Sequence, residues 1–225
     1  MIVHRDVPTV TVDGTPVPLL TALTPSDRPQ VLEREHEFSQ TWGWDGAREA
    51  VARATACVTV VEVMGHLHAP ADRVTAFRSV VAALAAGTDP IAIWCPNLVK
   101  FVPPAHADGL EILVNVRLFR IEDGEEGELV MDSLGLHVLG LPDVQCHFRG
   151  VDPGEMAQVL YNLAAHILEH GDVVDDGHTV PGVRGDERWP CRHEAALIGP
   201  ERVVLAIDPS GGPARRRRAG WRRRG

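Results

Sequence analysis

Asp143, Gln145 and His147 alternate with apolar residues in the segment DVQCHF. If this segment is a strand, the three polar side chains point to one face, about 6.5 Å apart per two residues. A carboxylate, an amide and an imidazole in one line could bind a small polar ligand or the backbone of a partner. The same side chains could instead pair with one another beneath a loop, because buried polar groups are costly unless they are hydrogen-bonded.

More polar residues precede this segment. The pattern predicts a strand over 111–121, an acidic turn EDGEEG and a returning strand in ELVMDS, which together form an antiparallel hairpin. If DVQCHF lies beside this hairpin, the polar residues of the three strands form one candidate binding site. Its members are Asn115, Arg117, Asp132, Asp143, Gln145 and His147. No catalytic residue is predicted among them.

The segment HILEH, from His166 to His170, matches a pattern in which two histidines hold zinc and the adjoining glutamate activates water. On a helix, however, Glu169 lies about 160° from the centre of the apolar stripe, away from any cleft that the histidines could share. An ordinary polar helix flank fits better. We therefore predict no metal ligand and no cofactor, and keep a metal-dependent hydrolase using His166 and His170 as the alternative function.

The helix that carries HILEH is the best-specified element. Asp152 is the predicted N-cap, Pro153 occupies the first helical position and Glu155 stands three residues after the cap. Apolar residues then recur at i, i+3 and i+4 as far as Leu168, and Gly171 ends the helix.

Elements earlier in the chain are predicted from shorter patterns. Asp45 is the expected N-cap of a helix that leads into a buried strand at 57–64. Pro70 opens a second helix, Gly87 is its expected left-handed C-terminal residue, and a strand follows at 91–95. Because the joints are short, the two strands and the second helix are predicted to form a βαβ unit with parallel strands.

The two ends of the chain carry weaker signals. Thr9 to Val12 could be an edge strand before a turn at Asp13 and Gly14. The short apolar runs 195–198 and 203–207 could add strands near the C-terminus.

Charge limits the classes of partner. The formal net charge is −9, but residues 215–225 hold seven of the 22 basic residues and no acidic residue. Residues 1–214 therefore carry 15 basic and 31 acidic residues, a balance of −16, which repels nucleic acid and anionic membrane. We expect no nucleic-acid partner except through the Arg-rich tail, and that tail has the composition of a disordered segment.

Cysteine and hydropathy patterns indicate the compartment. The four cysteines lie far apart and form no CxxC pair, so reduced thiols are expected. No run approaches the 18 apolar residues of a membrane span, and the first residues lack the pattern of a signal peptide. We expect a soluble cytoplasmic protein with no membrane partner.

Several of these segments together resemble the bacterial domain-of-unknown-function family 4261. They are QTWGW at 40–44, NVRLF at 115–119, MDSLGL at 131–136, GLPDVQCHF at 140–148, LYNLAAHILEHGD at 160–172 and LIGPERVVLAIDP at 197–209. The resemblance covers about residues 36–209. It implies a bacterial origin and no particular reaction.

These observations predict an α+β fold, with a single domain over 36–209, a Pro-rich segment at 1–35 and a disordered tail at 210–225. The mixed sheet should contain the βαβ unit and the antiparallel hairpin, with helices packed mainly on one face. The leading hypothesis for function is a non-enzymatic binding or protein-interaction module, similar to small immunity or adaptor proteins. Its partner would be a protein or a small polar ligand.

Overall fold

The computed structural model describes residues 9–27, 34–121 and 124–209. Predictions about residues 1–8 and the tail at 210–225 lie outside the described residues. Helices and a mixed sheet are both present, which confirms the α+β class. The contacts define two compact units, and a single domain over 36–209 stays a prediction. Unit 1 contains described residues up to 115 with 138–140, and unit 2 contains 116–137 and 141–209.

Unit 1 contains three antiparallel two-stranded sheets, β1–β2, β3–β4 and β5–β6. The strands are β1 (Thr9–Val12), β2 (Thr15–Pro18), β3 (Leu20–Asp27), β4 (Ala56–Val63), β5 (Ile93–Cys95) and β6 (Lys100–Val102). The predicted strand at Thr9–Val12 is confirmed. Asp13 and Gly14 have φ angles of 49° and 76°, as a tight two-residue hairpin turn requires.

The predicted βαβ unit is wrong. The run at 57–64 does form most of strand β4, but β4 pairs with β3, and β5 pairs with β6. A short run of β-branched residues is typical of a buried parallel strand, yet the pattern does not identify the strand's neighbour. This two-stranded sheet leaves side chains exposed on both faces, with Val61 and Val63 on one face and Val58 on the other.

The helices of unit 1 are α1 (Glu35–Ser39), α2 (Ala47–Ala52) and α3 (Pro70–Thr88). Two predicted caps are wrong. Gly46 rather than Asp45 is the N-cap of α2, with no side-chain cap hydrogen bond. Asp89 rather than Gly87 is the left-handed residue that ends α3, because the helix continues through Gly87.

The core of unit 1 is divided into small clusters. One joins α2 to β6 through Ala47, Val51 and Phe101, with partly buried Phe38 and Trp94 packed against it. Another joins α3 to β6 and the following turns. Its buried members are Val81, Val102, Ala107 and Ile112.

Unit 2 is built around a six-stranded sheet in the order β10-β11-β12-β9-β8-β7. Its strands are β7 (Asn115–Arg120), β8 (Glu128–Leu134), β9 (Asp143–Arg149), β10 (Thr179–Pro181), β11 (Arg188–Ala195) and β12 (Val203–Ile207). Strand β12 pairs with β9 in parallel, whereas β9 pairs with β8, and β11 with β10 and β12, in antiparallel fashion. The sheet is therefore mixed, as predicted.

The predicted hairpin is formed by β7 and β8, since a seven-residue connection is too short for a parallel crossover. Strand β7 begins at Asn115 rather than residue 111, because Leu110–Ile112 forms a 3₁₀ turn. The predicted strand at 203–207 is confirmed. Of the run 195–198, only Ala195 is in a strand.

Helix α4 (Pro153–His170) has the predicted limits. The Asp152 carboxylate accepts hydrogen bonds from the backbone N–H groups of Gly154 and Glu155 at 2.9 and 3.1 Å. The helix packs against β8 and β9, with four side chains almost fully buried. They are Met156, Leu160, Ala164 and Ile167.

Candidate functional site

Two arginines and two aspartates form a buried group in unit 2, which we name the arginine–carboxylate network. Its members are Arg117 on β7, Asp132 on β8, Asp143 on β9 and Arg202 immediately before β12. Because β7, β8, β9 and β12 are neighbours in the sheet, residues from four separate parts of the chain meet there. All four side chains are at most 3% exposed.

Asp132 joins the two arginines. Its carboxylate accepts Arg117 Nε at 2.9 Å and Arg117 Nη2 at 2.6 Å, a bidentate pair. The oxygen shared with Arg117 Nη2 also accepts Arg202 Nη2 at 2.6 Å. Thus one carboxylate fixes the planes of two guanidinium groups.

Asp143 is the second carboxylate of the network. It accepts Arg202 Nε at 2.9 Å, the Ser133 hydroxyl at 3.1 Å and the backbone N–H of Leu136 at 3.0 Å. His137 Nδ1 lies 2.8 Å from the same carboxylate, and the His137 side chain is 24% exposed. Asp143 therefore has several partners within its own unit.

The arginines also hold the segment between β11 and β12. Arg117 Nη2 donates to the Gly199 carbonyl at 3.0 Å, and Arg202 Nη1 donates to the carbonyls of Ile198 and Pro200, both at 2.8 Å. Gln145 accepts the backbone N–H of Leu197 at 2.7 Å. The network consequently fixes a connection that has no regular secondary structure.

Charge in the network is balanced, with two guanidinium groups against two carboxylates. Desolvating such groups is expensive, and their mutual attraction offsets the cost only when the remaining donors and acceptors are also satisfied. The backbone carbonyls of 198–200 and the Ser133 hydroxyl supply those partners. This arrangement specifies one packing of β8, β9 and β12.

The network lies largely within a segment that is found in other proteins. Residues 132–208 match the family model described as Domain of unknown function (DUF4261). The resemblance predicted from the sequence is thus confirmed over this segment. No curated protein and no solved structure matches the chain significantly.

Within the DUF4261 segment, the network includes Asp132, Asp143 and Arg202, whereas Arg117 lies before it. The description of the family names no reaction. The match therefore identifies the segment that forms most of the sheet and helix α4, without assigning an activity to it.

The structure brings only some of the predicted binding residues together. Arg117, Asp132 and Asp143 belong to the network, and Gln145 binds the adjoining loop. Asn115 lies elsewhere and donates to the Leu98 carbonyl at 2.9 Å within unit 1. A ligand-binding role for these residues stays a prediction.

His147 also lies apart from the network. Its Nε2 atom is 2.8 Å from the Glu128 carboxylate, and its side chain is 39% exposed. It is on the predicted face of β9, but near the outer end of the strand, where β8 supplies Glu128 as its neighbour.

The sequence prediction missed Arg202, Ser133 and His137. A signal for Arg202 did exist. Asp132 and Asp143 on buried strands carry two negative charges, Arg117 carries one positive charge, and buried charges are usually paired. A second cation was therefore needed, and Arg202 directly precedes the apolar run of β12.

His166 and His170 stack on the exposed side of α4, with ring centroids 4.4 Å apart. His170 Nδ1 lies 3.1 Å from the His166 carbonyl, and Glu169 is largely exposed. In the described part of the chain, no group of three or more His, Cys, Asp or Glu side chains could hold a metal ion. The described residues also include no helix long and apolar enough to cross a membrane.

Unit 1 contains a buried lysine, Lys100, whose Nζ donates to the Val114 carbonyl at 2.7 Å. Burial lowers the pKa of Lys100 to about 8, against smaller opposing effects of Cys95 and Glu111. Burial likewise raises the pKa of the Cys95 thiol to about 11. A thiol with this pKa is protonated at neutral pH and is a poor nucleophile.

The β3–β4 ribbon of unit 1 has an exposed apolar face. Leu20 lies opposite Val63 and Ala22 opposite Val61, and directly opposed residues share one face of an antiparallel pair. We name this the outward ribbon face. Its members are Leu20, Ala22, Thr24, Ser26, Cys57, Thr59, Val61 and Val63. All of them except Cys57 are exposed.

The outward ribbon face carries no charged side chain. Leu20 is 48% exposed and Val61 is 49% exposed. Among the described strands, β3 and β4 pair only with each other. The ribbon thus combines apolar side chains with two strand edges that no other described strand pairs with.

Proposed function

We propose that this chain is a non-enzymatic protein-interaction module that binds an extended segment of a partner protein along the β3–β4 ribbon. The observation that carries the proposal is the outward ribbon face, on which Leu20, Ala22, Val61 and Val63 form an exposed apolar patch. Contiguous exposed apolar side chains are a mark of interaction sites, whereas scattered ones need no explanation.

The dimensions of the ribbon favour an added strand over a flat docked surface. Eight residues at about 3.3 Å each and two strands about 4.8 Å apart give a face of roughly 25 by 10 Å. A stable complex buries about 800 Å² on each partner, more than this face alone offers. An added strand would gain backbone hydrogen bonds along an open edge as well as apolar contacts on the face.

The chemistry of the ribbon defines the partner segment. Because the outward face lacks charge, a partner segment with alternating apolar side chains fits it, and an acidic or basic segment does not. Glu62, on the opposite face of β4, is already paired with Arg73, at 2.7 Å. The side chains of the segment that face the ribbon should therefore be uncharged over a length of about eight residues, the length of β3 and β4.

The arginine–carboxylate network offers less to a ligand. Its groups are buried, and most of their hydrogen-bonding capacity is used within unit 2. A catalytic site instead needs titratable groups that converge on an accessible cleft. This contrast favours binding by the ribbon over chemistry at the network.

The test compares two valine substitutions. Partners are captured from an extract of the encoding organism, purified, and titrated calorimetrically against the wild type, Val61→Glu and Val173→Glu. Val173 is 51% exposed in unit 2 and is a matched control for the loss of an exposed valine. We expect Val61→Glu to weaken binding at least tenfold and Val173→Glu to change it less than twofold. Equal affinities of the three proteins would contradict the proposal.

The alternative, a metal-dependent hydrolase using His166 and His170, is supported by their stacking alone. It requires stoichiometric metal in the purified protein, measured by mass spectrometry, and loss of that metal in His166→Ala and His170→Ala. Stoichiometric zinc that both substitutions remove would favour this alternative over the interaction module.

A further inference from the structure

His193 on β11 is bound by two carboxylates at once. Its Nδ1 atom lies 2.9 Å from Asp176, and its Nε2 atom lies 3.0 Å from Asp172. Both aspartates belong to the segment that leaves helix α4 and leads to β10. An imidazole can donate from both ring nitrogens only when it is protonated, so this geometry requires the imidazolium form.

We propose that His193 is a proton-dependent latch that holds the segment 172–175 against strand β11, and that loss of its proton releases this segment. The latch is independent of the interaction proposed for the ribbon, because all of its residues lie in unit 2.

The two halves of the latch are not equivalent. Asp176 also accepts the backbone N–H of His193, at 2.7 Å, so it keeps one donor whatever the ring does. The backbone N–H of Gly177 further donates to the Cys191 carbonyl at 2.8 Å. Among the described residues, Asp172 contacts β11 through the His193 ring. Because the backbone hydrogen bond holds Asp176 beside Nδ1, the neutral ring keeps its proton on Nδ1. Asp172 has no such backbone bond to His193, so it turns into solvent when Nε2 loses its proton.

The other charged groups around His193 have contacts of their own. Asp175, which is largely exposed, lies 3.9 Å from His178 rather than on His193. Arg192 and Glu194, the neighbours of His193 in β11, pair with each other. On β12, the residue opposite His193 is the apolar Leu205. At the end of α4, His170 Nδ1 lies 3.1 Å from the His166 carbonyl and 3.9 Å from Glu169. The charges that contact the ring are thus the two carboxylates.

The pKa values agree with this geometry. Burial by itself lowers the pKa of His193, but the hydrogen bonds and charges of Asp176 and Asp172 raise it above its ordinary value. The backbone and then the ring of His193 lower the pKa of Asp176. The stabilisation from His193 is complete below the unfolded-state pKa of about 6.5 and is lost as pH rises through the higher folded-state pKa. The stabilisation that comes from the lowered pKa of Asp176 is lost only in acid, as pH falls through that pKa.

The experiment is an NMR titration of the His193 ring in the full chain, together with amide hydrogen exchange of residues 172–175. We expect Asp172→Asn to lower the pKa of His193, and Asp175→Asn, the matched control in the same segment, to leave it unchanged. As pH rises through the pKa of His193, protection of 172–175 in the wild type should fall to that of Asp172→Asn. Because the wild type and Asp172→Asn are compared at each pH, the pH dependence of the chemical exchange rate itself cancels.

Two results would overturn the latch. One is a His193 pKa at or below 6.5 in the wild type. The other is a ratio of exchange rates between wild type and Asp172→Asn that stays constant across the titration. The ring ¹⁵N shifts provide a separate check, because above its pKa His193 should carry its proton on Nδ1, and a proton on Nε2 would contradict the release of Asp172.

Discussion

The arginine–carboxylate network and the outward ribbon face invert the usual distribution of polar and apolar residues. In unit 2, Asp132 and Asp143 are fully buried. In unit 1, Leu20 and Val61 are about half exposed. The difference follows from the number of layers. Strands β8 and β9 lie inside a six-stranded sheet that α4 covers, whereas the β3–β4 ribbon has only two strands.

This contrast shows that a cluster of polar side chains and an accessible surface are two different criteria for a binding site. Polar side chains that converge can simply satisfy one another, and then they specify a packing arrangement more than they bind a ligand. Apolar side chains that remain exposed still gain free energy when a partner buries them. The first case describes the network, and the second is the basis of the function proposed for the ribbon.

The largest expected effect is that of Arg202→Ala. The substitution leaves Asp132 and Asp143 buried with fewer donors and frees the carbonyls of Ile198 and Pro200. Breaking a buried ion pair on one side costs about 3–5 kcal/mol. We expect a loss of this size in the free energy of unfolding, measured by urea denaturation.

Arg192→Ala is the matched control. Arg192 pairs with Glu194 near the surface, and its side chain is 40% exposed. Exposed ion pairs contribute about 0–1 kcal/mol, so the control should lose no more than that. If both variants lost the same amount, the network would not be a main source of stability in unit 2.

Valine-to-threonine substitutions test the comparison directly, because the change is identical in both regions. Val144 in β9 is fully buried, and a threonine hydroxyl there costs about 1–3 kcal/mol unless it finds a partner. Val61 on the outward ribbon face is half exposed, and its replacement should cost less than about 0.5 kcal/mol. Urea denaturation of the two variants measures both values. A large loss for Val61→Thr would mean that this face is covered.

Local signals account for what the sequence predicted correctly. Helix α4 has its cap, first-turn proline, apolar period and final glycine within one segment, and all of them agree with the structure. The alternation in β9 is equally local, and it places Asp143 and Gln145 on one face. Such features depend on the neighbours of a residue in the chain.

Long-range pairing accounts for what the sequence could not predict. Arg202 reaches Asp143 because β12 lies parallel to β9, and no local pattern specifies that neighbour. The valines of β4 form the expected strand, but their burial depends on how many strands join it. The same uncertainty produced the incorrect βαβ unit, since β4 and β5 pair within separate hairpins.

The smallest effect concerns Lys100, a buried charge without the paired carboxylates of the network. In the described residues, no carboxylate forms an ion pair with it, and its pKa is lowered to about 8. Between pH 8 and the ordinary lysine pKa, the unfolded chain binds more protons at Lys100 than the folded one, so this group makes stability rise with pH. The Cys95, Cys146 and Cys191 thiols have the opposite effect, because burial raises their pKa in the folded state alone. Their effect begins near the ordinary cysteine pKa of about 8.5, within the same range.

The difference between the wild type and Lys100→Met therefore isolates Lys100 from pH 8 to 9, because the buried thiols are present in both proteins. Urea denaturation at these two pH values should show that the change in the free energy of unfolding from pH 8 to pH 9 is more positive for the wild type, by at most about 1.4 kcal/mol for one proton. Lys100→Met removes the titrating group and should lack this contribution. An equal change in both proteins would contradict the prediction.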